Sequence, residues 1–237
     1  MTKELFNLEG ITRIYKRGNE QIKGVDSLTL KIDQGEYISI LGPSGAGKTT
    51  FLNMLGCIDS PTSGKLVFYP DNGEMIELTK MKENKLDEFR RENIGFVFAD
   101  FFLLHSLTAT ENVELPLIFS KGKKTEVGYS KKVLEIVGLG HRLTHKPLHL
   151  SGGEMQRVAV ARSMVNKPKV LLADEPTANL DTGNSEVIFN LFEDLNSRGI
   201  TVVVATHAEE LAKRAKRIIF LQDGKIIEDK GGRKDER

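Results

Sequence analysis

The sequence predicts an α/β fold: a parallel sheet at the core, an N-terminal antiparallel β layer and an inserted helical subdomain. Three observations carry that expectation. Short β-branched runs at residues 37–41, 94–98, 169–173, 201–205 and 217–221 alternate with amphipathic stretches at 49–55, 82–91, 154–165, 185–196 and 208–213. Strands alternating with helices imply βαβ units. Residues 5–15, 27–32 and 66–78 look like antiparallel strands, the last broken by the turn signal Asp71-Asn72-Gly73. Residues 104–149 contain no clear strand and read as helical. Within them, Asn112-Val113-Glu114-Leu115 is expected to end or kink at Pro116, since proline lacks a helix donor and clashes with the preceding turn.

The whole chain, 1–237, is read as one domain, with residues 104–165 as its helical subdomain. Residues 229–237 are glycine and charge without an apolar anchor, and disorder is expected there. No internal repeat of roughly 20–50 residues marks a solenoid.

Composition bounds the function. The 237 residues are 39% hydrophobic and 28% charged, with a formal charge of +1, which argues against a general electrostatic grip on nucleic acid. Apolar runs such as Val202-Val203-Val204-Ala205 are far shorter than the about 20 residues of a membrane-crossing helix. Met1-Thr2-Lys3-Glu4-Leu5 lacks the apolar core of a signal peptide, so a cytoplasmic protein is expected. The one cysteine, Cys57, excludes a disulfide within the chain and any multi-cysteine metal site, and is most simply a small buried residue. The unusual feature is 22 glycines.

Several of those glycines belong to Gly42-Pro43-Ser44-Gly45-Ala46-Gly47-Lys48-Thr49, which matches G-x-x-x-x-G-K-[ST] between an expected strand and an expected helix. The chemistry needs these types. Glycines let consecutive backbone N–H groups curl toward phosphate oxygens, and the helix start adds unpaired N–H groups. Lys48 supplies a point charge at the β and γ phosphates, and Thr49 offers a hydroxyl to Mg²⁺. Thr50 follows in the same turn. The plain alternative is a glycine-rich turn with an exposed lysine.

Residues 170–173 are apolar and run into Asp174-Glu175, placing two carboxylates at the sheet edge where ligands bind in open α/β folds. Asp174 suits an Mg²⁺ ion through its waters, and Glu175 a general base on water. Leu150-Ser151-Gly152-Gly153-Glu154 opens a later helix. Ser151 and Glu154 satisfy a capping box. That leaves Gly152 and Gly153 unexplained, and two glycines in a first helical turn suit close approach to an anion.

Taken in this order, the phosphate loop, the Leu-Ser-Gly-Gly-Glu segment, the acidic strand end and a later histidine resemble the ATP-binding subunit of ABC transporters, over residues 5 to about 228. The resemblance implies a P-loop NTPase core. It also implies ATP and Mg²⁺ as ligands, ATP hydrolysis coupled to transport, and a homodimer that sandwiches two ATP molecules. Ser151, Gly152, Gly153 and Glu154 would then meet the nucleotide of a second copy. Tyr15 matches the adenine-stacking aromatic; its plain reading is a strand tyrosine packed on the antiparallel layer. His207 matches the histidine that reaches the γ-phosphate. Asp181, in Ala178-Asn179-Leu180-Asp181, matches the loop contacting the opposite phosphate loop, and can also be a helix N-cap.

The family places glutamine after the strand Gly95-Phe96-Val97-Phe98, and here that position is Ala99. Three readings follow: the loop transmits movement while catalysis is slowed, Asp100 substitutes as a ligand, or the site binds ATP and turns it over poorly. The first is preferred; alternation along an extended chain would aim Asp100 elsewhere, which counts against the second. A slow ATP-dependent conformational switch is therefore the alternative to a transport ATPase. Residues 55–64 and 111–118 resemble the branch serving lipoprotein release, macrolide export and the cell-division complex. That implies a separate integral membrane permease, for which Phe101, Phe102 and Leu103 are candidate apolar contacts, with burial at the junction between subdomains the expected role of at least one of them, and with the subunit peripheral on the inner face of the cell membrane and no nucleic-acid partner. Soluble repair or translation members carry long inserts or two such domains, for which this length leaves no room.

Overall fold

The computed structural model describes residues 3–18, 20–71, 73–119 and 128–231. Asn72 of the expected turn, part of the helical region at 120–127 and tail residues 232–237 lie outside them.

Two sheets organise the described chain. In the first, β1 (Glu4–Arg17) pairs antiparallel with β2 (Glu20–Asp33) on one side and β4 (Ser63–Phe68) on the other, and β5 (Ile76–Glu77) extends the edge, in the order β2-β1-β4-β5. The second sheet contains β3 (Tyr37–Leu41), β6 (Ile94–Val97), β7 (Val170–Asp174), β8 (Thr201–Thr206), β9 (Arg217–Gln222) and β10 (Lys225–Lys230), in the order β10-β9-β3-β8-β7-β6. All its neighbours are parallel except the edge pair β9–β10. This is the expected α/β architecture: a P-loop NTPase core with a parallel sheet, an antiparallel layer and a helical subdomain.

The strands of the second sheet read as unbroken apolar runs because both faces are covered. Val170 and Leu172 of β7, with Val203 and Ala205 of β8, join a core shared with Phe6, Leu8 and Ile11 of the first sheet and Phe51, Leu52 and Met54 of α1 (Lys48–Leu55). Their alternating neighbours Leu171, Ala173, Val202 and Val204 face the opposite core. That core is completed by α3 (Ala109–Ile118), α4 (Tyr129–Ile136), α5 (Gly152–Met164) and α6 (Thr182–Ser197), through Val113, Leu134, Val158 and Phe189. Full burial of each such side chain stabilises the fold by about 1.5–3 kcal/mol. The remaining helices are α2 (Glu83–Asn93) and the short α7 (Glu209–Ala212).

Helix starts follow the side chains that can satisfy free N–H groups. Thr108 and Glu111 form a reciprocal capping box on α3, Ser151 and Glu154 another on α5, and Asp181 accepts from the Asn184 N–H on α6.

Two expectations need correction. Of the end or kink expected at Pro116, the end is overturned: helix α3 runs on to Ile118. The proline sits in the last turn, where it removes a single helical donor, so the helix stops two residues later. Asp229 and Lys230 are not disordered: they pair with Ile219 and Ile218 in β10, and Arg217 forks onto the Asp229 carboxylate at 2.9 and 2.7 Å. The hairpin that creates β10 turns at Asp223 (φ 47°) and Gly224 (φ 74°), an Asp-Gly signal of the kind that favours two-residue turns. Cys57 is buried as expected, and that burial pushes its thiol pKa up to about 12.

Replacing Thr108 by alanine removes one half of the α3 box. The expected loss is about 1 kcal/mol, read in a thermal melt as a fall of roughly 2–4 °C in Tm for a chain of this size. An unchanged Tm would mean that the box contributes nothing to α3.

Candidate functional site

Strands β3, β7 and β8 end side by side at the carboxyl edge of the parallel sheet, and each continues into a loop that lines one cleft. The cleft has a volume of about 670 Å³ and is lined by residues of the glycine loop from Ser44 to Thr50, with Tyr15, Glu175 and His207. Ile22, Lys23 and Gly24 complete its wall.

The glycine loop is built by close backbone approach. A Cβ on Gly42 would lie 2.2 Å from the Leu221 carbonyl oxygen, and one on Gly47 would lie 2.1 Å from that of Gly24. Gly47 also has φ +100°, in the region that favours glycine. The Asp223-Gly224 turn supports the loop from below: the Gly224 N–H donates to the Ala46 carbonyl at 2.9 Å, and the Gly224 carbonyl accepts from the Asp26 N–H at 2.9 Å. Helix α1 starts at Gly47 with no side-chain cap, leaving its first N–H groups to face an anion.

Lys48 is only 7% exposed. Its Nζ donates to the carbonyls of Gly42 at 2.8 Å and Pro43 at 3.2 Å, and lies 3.3 Å from Glu175 Oε1. The other Glu175 oxygen accepts from His207 Nδ1 at 2.9 Å and from the His207 backbone N–H at 3.3 Å. Glu175 has φ 45°, a left-handed conformation uncommon for this residue type, and its N–H donates to Ala205 at 2.9 Å. The sheet thus ties the backbone of Glu175 to β8, while its carboxylate spans Lys48 and His207.

Asp174 is different in kind. Its Oδ1 is buried with no hydrogen-bond partner. Burial pushes its carboxyl above the usual carboxylate range; a hydrogen bond from Thr49 opposes that rise, the Glu175 charge adds to it, and Lys48 opposes it. A buried carboxylate oxygen beside a hydroxyl is a hard-oxygen donor set, which fits Mg²⁺. Among the described residues no three His, Cys, Asp or Glu side chains form a metal cluster, so the protein donors number too few for a cage.

Ser151, Gly152, Gly153, Glu154 and Asp181 do not line this cleft. Ser151 and Glu154 are engaged in their cap, and Glu154 also pairs with Arg142 at 2.9 Å. The Ser151 N–H, then Arg142, holds the Glu154 carboxyl below its usual range despite partial burial. Gly153 has a local packing reason that its sequence did not reveal: a Cβ there would lie 2.1 Å from the Asn184 amide oxygen. Gly152 meets nothing closer than 3.5 Å. Asp181 caps α6, with its carboxyl held low chiefly by the Asn184 N–H. Ala99 and Asp100 also lie outside the cleft lining. The Ala99 carbonyl accepts from Asn179, and the buried Gln156 donates to both Phe98 and Pro176. Leu103 is buried, Phe101 is half-buried and Phe102 is 63% exposed.

The profile of the ABC transporter family matches residues 25–178. The chain belongs to that family. It is an ATP-binding cassette of the ATP-hydrolysing kind, and its relatives are consistent with the branch of lipoprotein release, macrolide export and the cell-division complex. The Bacillus subtilis (strain 168) ABC transporter ATP-binding protein YvrO is 44% identical over 229 residues, covering 96% of this chain and 98% of that protein. The macrolide export ATP-binding/permease protein MacB of Hyphomonas neptunium is 42% identical over 98% of this chain, which spans only 36% of MacB. A dimeric, post-hydrolysis structure of the cassette MJ0796 with ADP and Pi superposes with a TM-score of 0.85 at 42% identity, covering 95% of this chain and 98% of that one. MJ0796 comes from Methanocaldococcus jannaschii.

Ile22, Lys23 and Gly24 were not anticipated as cleft residues. The one available signal was Gly24, a glycine inside a strand, which marks close backbone approach.

Asp174 gives a pH-dependent test. Its folded pKa is raised, so the native chain gains stability as pH falls toward the pKa of the unfolded carboxyl, about 3.9. Near pH 7 the ionised form opposes folding. Asp174→Asn is therefore expected to raise Tm in EDTA at pH 7, with the gain shrinking toward zero near pH 4. Calorimetry that finds a lower Tm at pH 7 would show that Asp174 is satisfied when charged.

Proposed function

We propose that the cleft binds ATP with Mg²⁺, that two copies of this chain close head to tail around two nucleotides, and that the cycle drives a separate integral membrane permease from the cytoplasmic face. The observation that carries the reading is the division of parts. Lys48, Glu175 and His207 converge on one cleft, while the start of α5, with Ser151 exposed and Gly152 half-buried, lies outside it. A second copy would bring that helix start to the nucleotide. The fused permease in MacB and the dimer of MJ0796 support the two partners. Among the described residues no helix is long and apolar enough to cross a membrane, which suits a peripheral subunit.

The residues take these roles. The loop from Gly42 to Thr50 surrounds the phosphates, with N–H groups from Gly42, Ser44, Gly45, Ala46, Gly47, Lys48, Thr49 and Thr50 as donors and Pro43, which has none, shaping the turn. Lys48 meets the β and γ oxygens, exchanging its contact with Glu175 for phosphate. That exchange frees Glu175 to accept a proton from the attacking water, and His207 then turns its ring hydrogen toward the γ-phosphate. Thr49 and Asp174 would hold Mg²⁺, which supplies charge neutralisation between the phosphates. Catalysis on this reading is mostly positioned charge. Tyr15 takes the adenine ring, and Asp181 approaches the opposite phosphate loop. The post-hydrolysis state of MJ0796 favours turnover over a slow switch.

Glu175→Gln keeps the phosphate contacts and removes the base. With ATP and Mg²⁺ it is expected to elute as a dimer in size exclusion, with turnover reduced by about 10²-fold or more. A variant that stays monomeric at saturating ATP would contradict the sandwich.

Ala99→Gln restores the side chain that the family carries at this loop. Steady-state turnover is expected to rise above the parent, with a changed Mg²⁺ dependence. An unchanged rate and an unchanged Mg²⁺ curve would remove Ala99 as a limit on hydrolysis.

A further inference from the structure

Tyr15 is held before any ligand reaches it. Its hydroxyl donates to Asp59 Oδ2 at 2.7 Å. The same carboxylate takes Arg13 in a fork, Nε at 2.9 Å and Nη2 at 2.7 Å, a geometry that fixes orientation as well as charge. Arg13 and Tyr15 stand two residues apart on β1, on one face of the strand, and the guanidinium lies 4.9 Å from the ring centroid. The third side is Gly24: a Cβ there would lie 2.8 Å from Tyr15 Cε2, so only glycine lets the ring settle against β2. Asp59 in turn is anchored to the end of the phosphate-loop helix, with the N–H groups of Ile58 and Asp59 donating to the Asn53 carbonyl at 2.8 and 3.1 Å.

Arg13 and Asp59 do not line the cleft, whereas Tyr15 does. Their route to a bound base is therefore the tyrosine. We propose that Asp59 and Arg13 are positioning residues that set the Tyr15 ring for the nucleotide base and link base position to helix α1. This rests on the reading that the cleft takes ATP with its base against Tyr15. A side chain immobilised in the free protein does not lose that freedom on binding, and the saving appears as affinity. The tether thus strengthens recognition of the base and leaves recognition of the phosphates alone.

The test is calorimetric titration of the full chain with ATP and, separately, with inorganic tripolyphosphate, both with Mg²⁺. Tyr15→Ala examines the base reading, Tyr15→Phe removes only the hydroxyl, and Asp59→Ala removes the acceptor. Expected are a large loss of ATP affinity for Tyr15→Ala and an about three- to tenfold loss for each of the other two. The double variant Tyr15→Phe/Asp59→Ala should lose no more than Asp59→Ala alone, since Asp59→Ala already removes the bond that Tyr15→Phe cuts. Tripolyphosphate affinity should not move. ATP affinity unchanged in Tyr15→Ala would overturn the base reading. A loss there with none in Tyr15→Phe and Asp59→Ala would overturn the tether alone. Additive losses, or an equal loss of tripolyphosphate affinity in Asp59→Ala, would show that Asp59 acts on the fold or the phosphate loop, and would also overturn it.

Discussion

The site depends on backbone touching backbone. Three segments, the glycine loop, Gly24 in β2 and the end of β9 with its Asp223-Gly224 turn, meet at distances that exclude a side chain on Gly42, against the Leu221 carbonyl, or on Gly47, against that of Gly24. Where the loop can curl, its N–H groups point inward and Lys48 is drawn back along its own loop onto the Gly42 and Pro43 carbonyls. A methyl group at Gly47 would force β2 away from the loop, and the cleft wall that β2 supplies would move with it. The glycines therefore act twice, by permitting a conformation and by permitting a contact.

Charge is then arranged around that scaffold with little excess. One buried lysine faces two adjacent carboxylates that differ in environment. Glu175 is paired with Lys48 and His207, while Asp174 keeps a buried oxygen without a partner. Neighbouring acids with unlike surroundings divide unlike tasks, one paired with a cation and a histidine and the other suited to a metal. A formal charge of +1 over the whole chain is compatible with a polyphosphate ligand because aimed N–H dipoles and one cation meet it locally.

The β8 strand shows why much of the fold was legible. Its residues alternate between two apolar cores, so both faces demand hydrophobic side chains and the run Val202 to Ala205 announces a buried strand. The capping pair at Ser151 was legible for a similar reason, since it is a contact across three residues. What escaped was long-range. β10 is polar and exposed, and it is a strand only because β9 supplies a ladder and Arg217 a partner for Asp229. Pro116 was misjudged because the cost of a missing donor depends on how near the helix end lies.

Local chemistry, readable in the chain itself, determined the glycine loop, the acidic strand end, the capped helix start and their order. Each of these is a short-range pattern whose residue types serve backbone conformation or charge. Only the tertiary structure decided which of them share a cleft. It brought Ile22, Lys23 and Gly24 into the wall beside Tyr15, gave Gly153 a packing partner in Asn184, and set Asp59 against the Tyr15 hydroxyl across 44 residues of chain. Those contacts depend on how sheets and helices stack, and stacking is set by the summed burial of two cores rather than by any pattern local to the residues that meet.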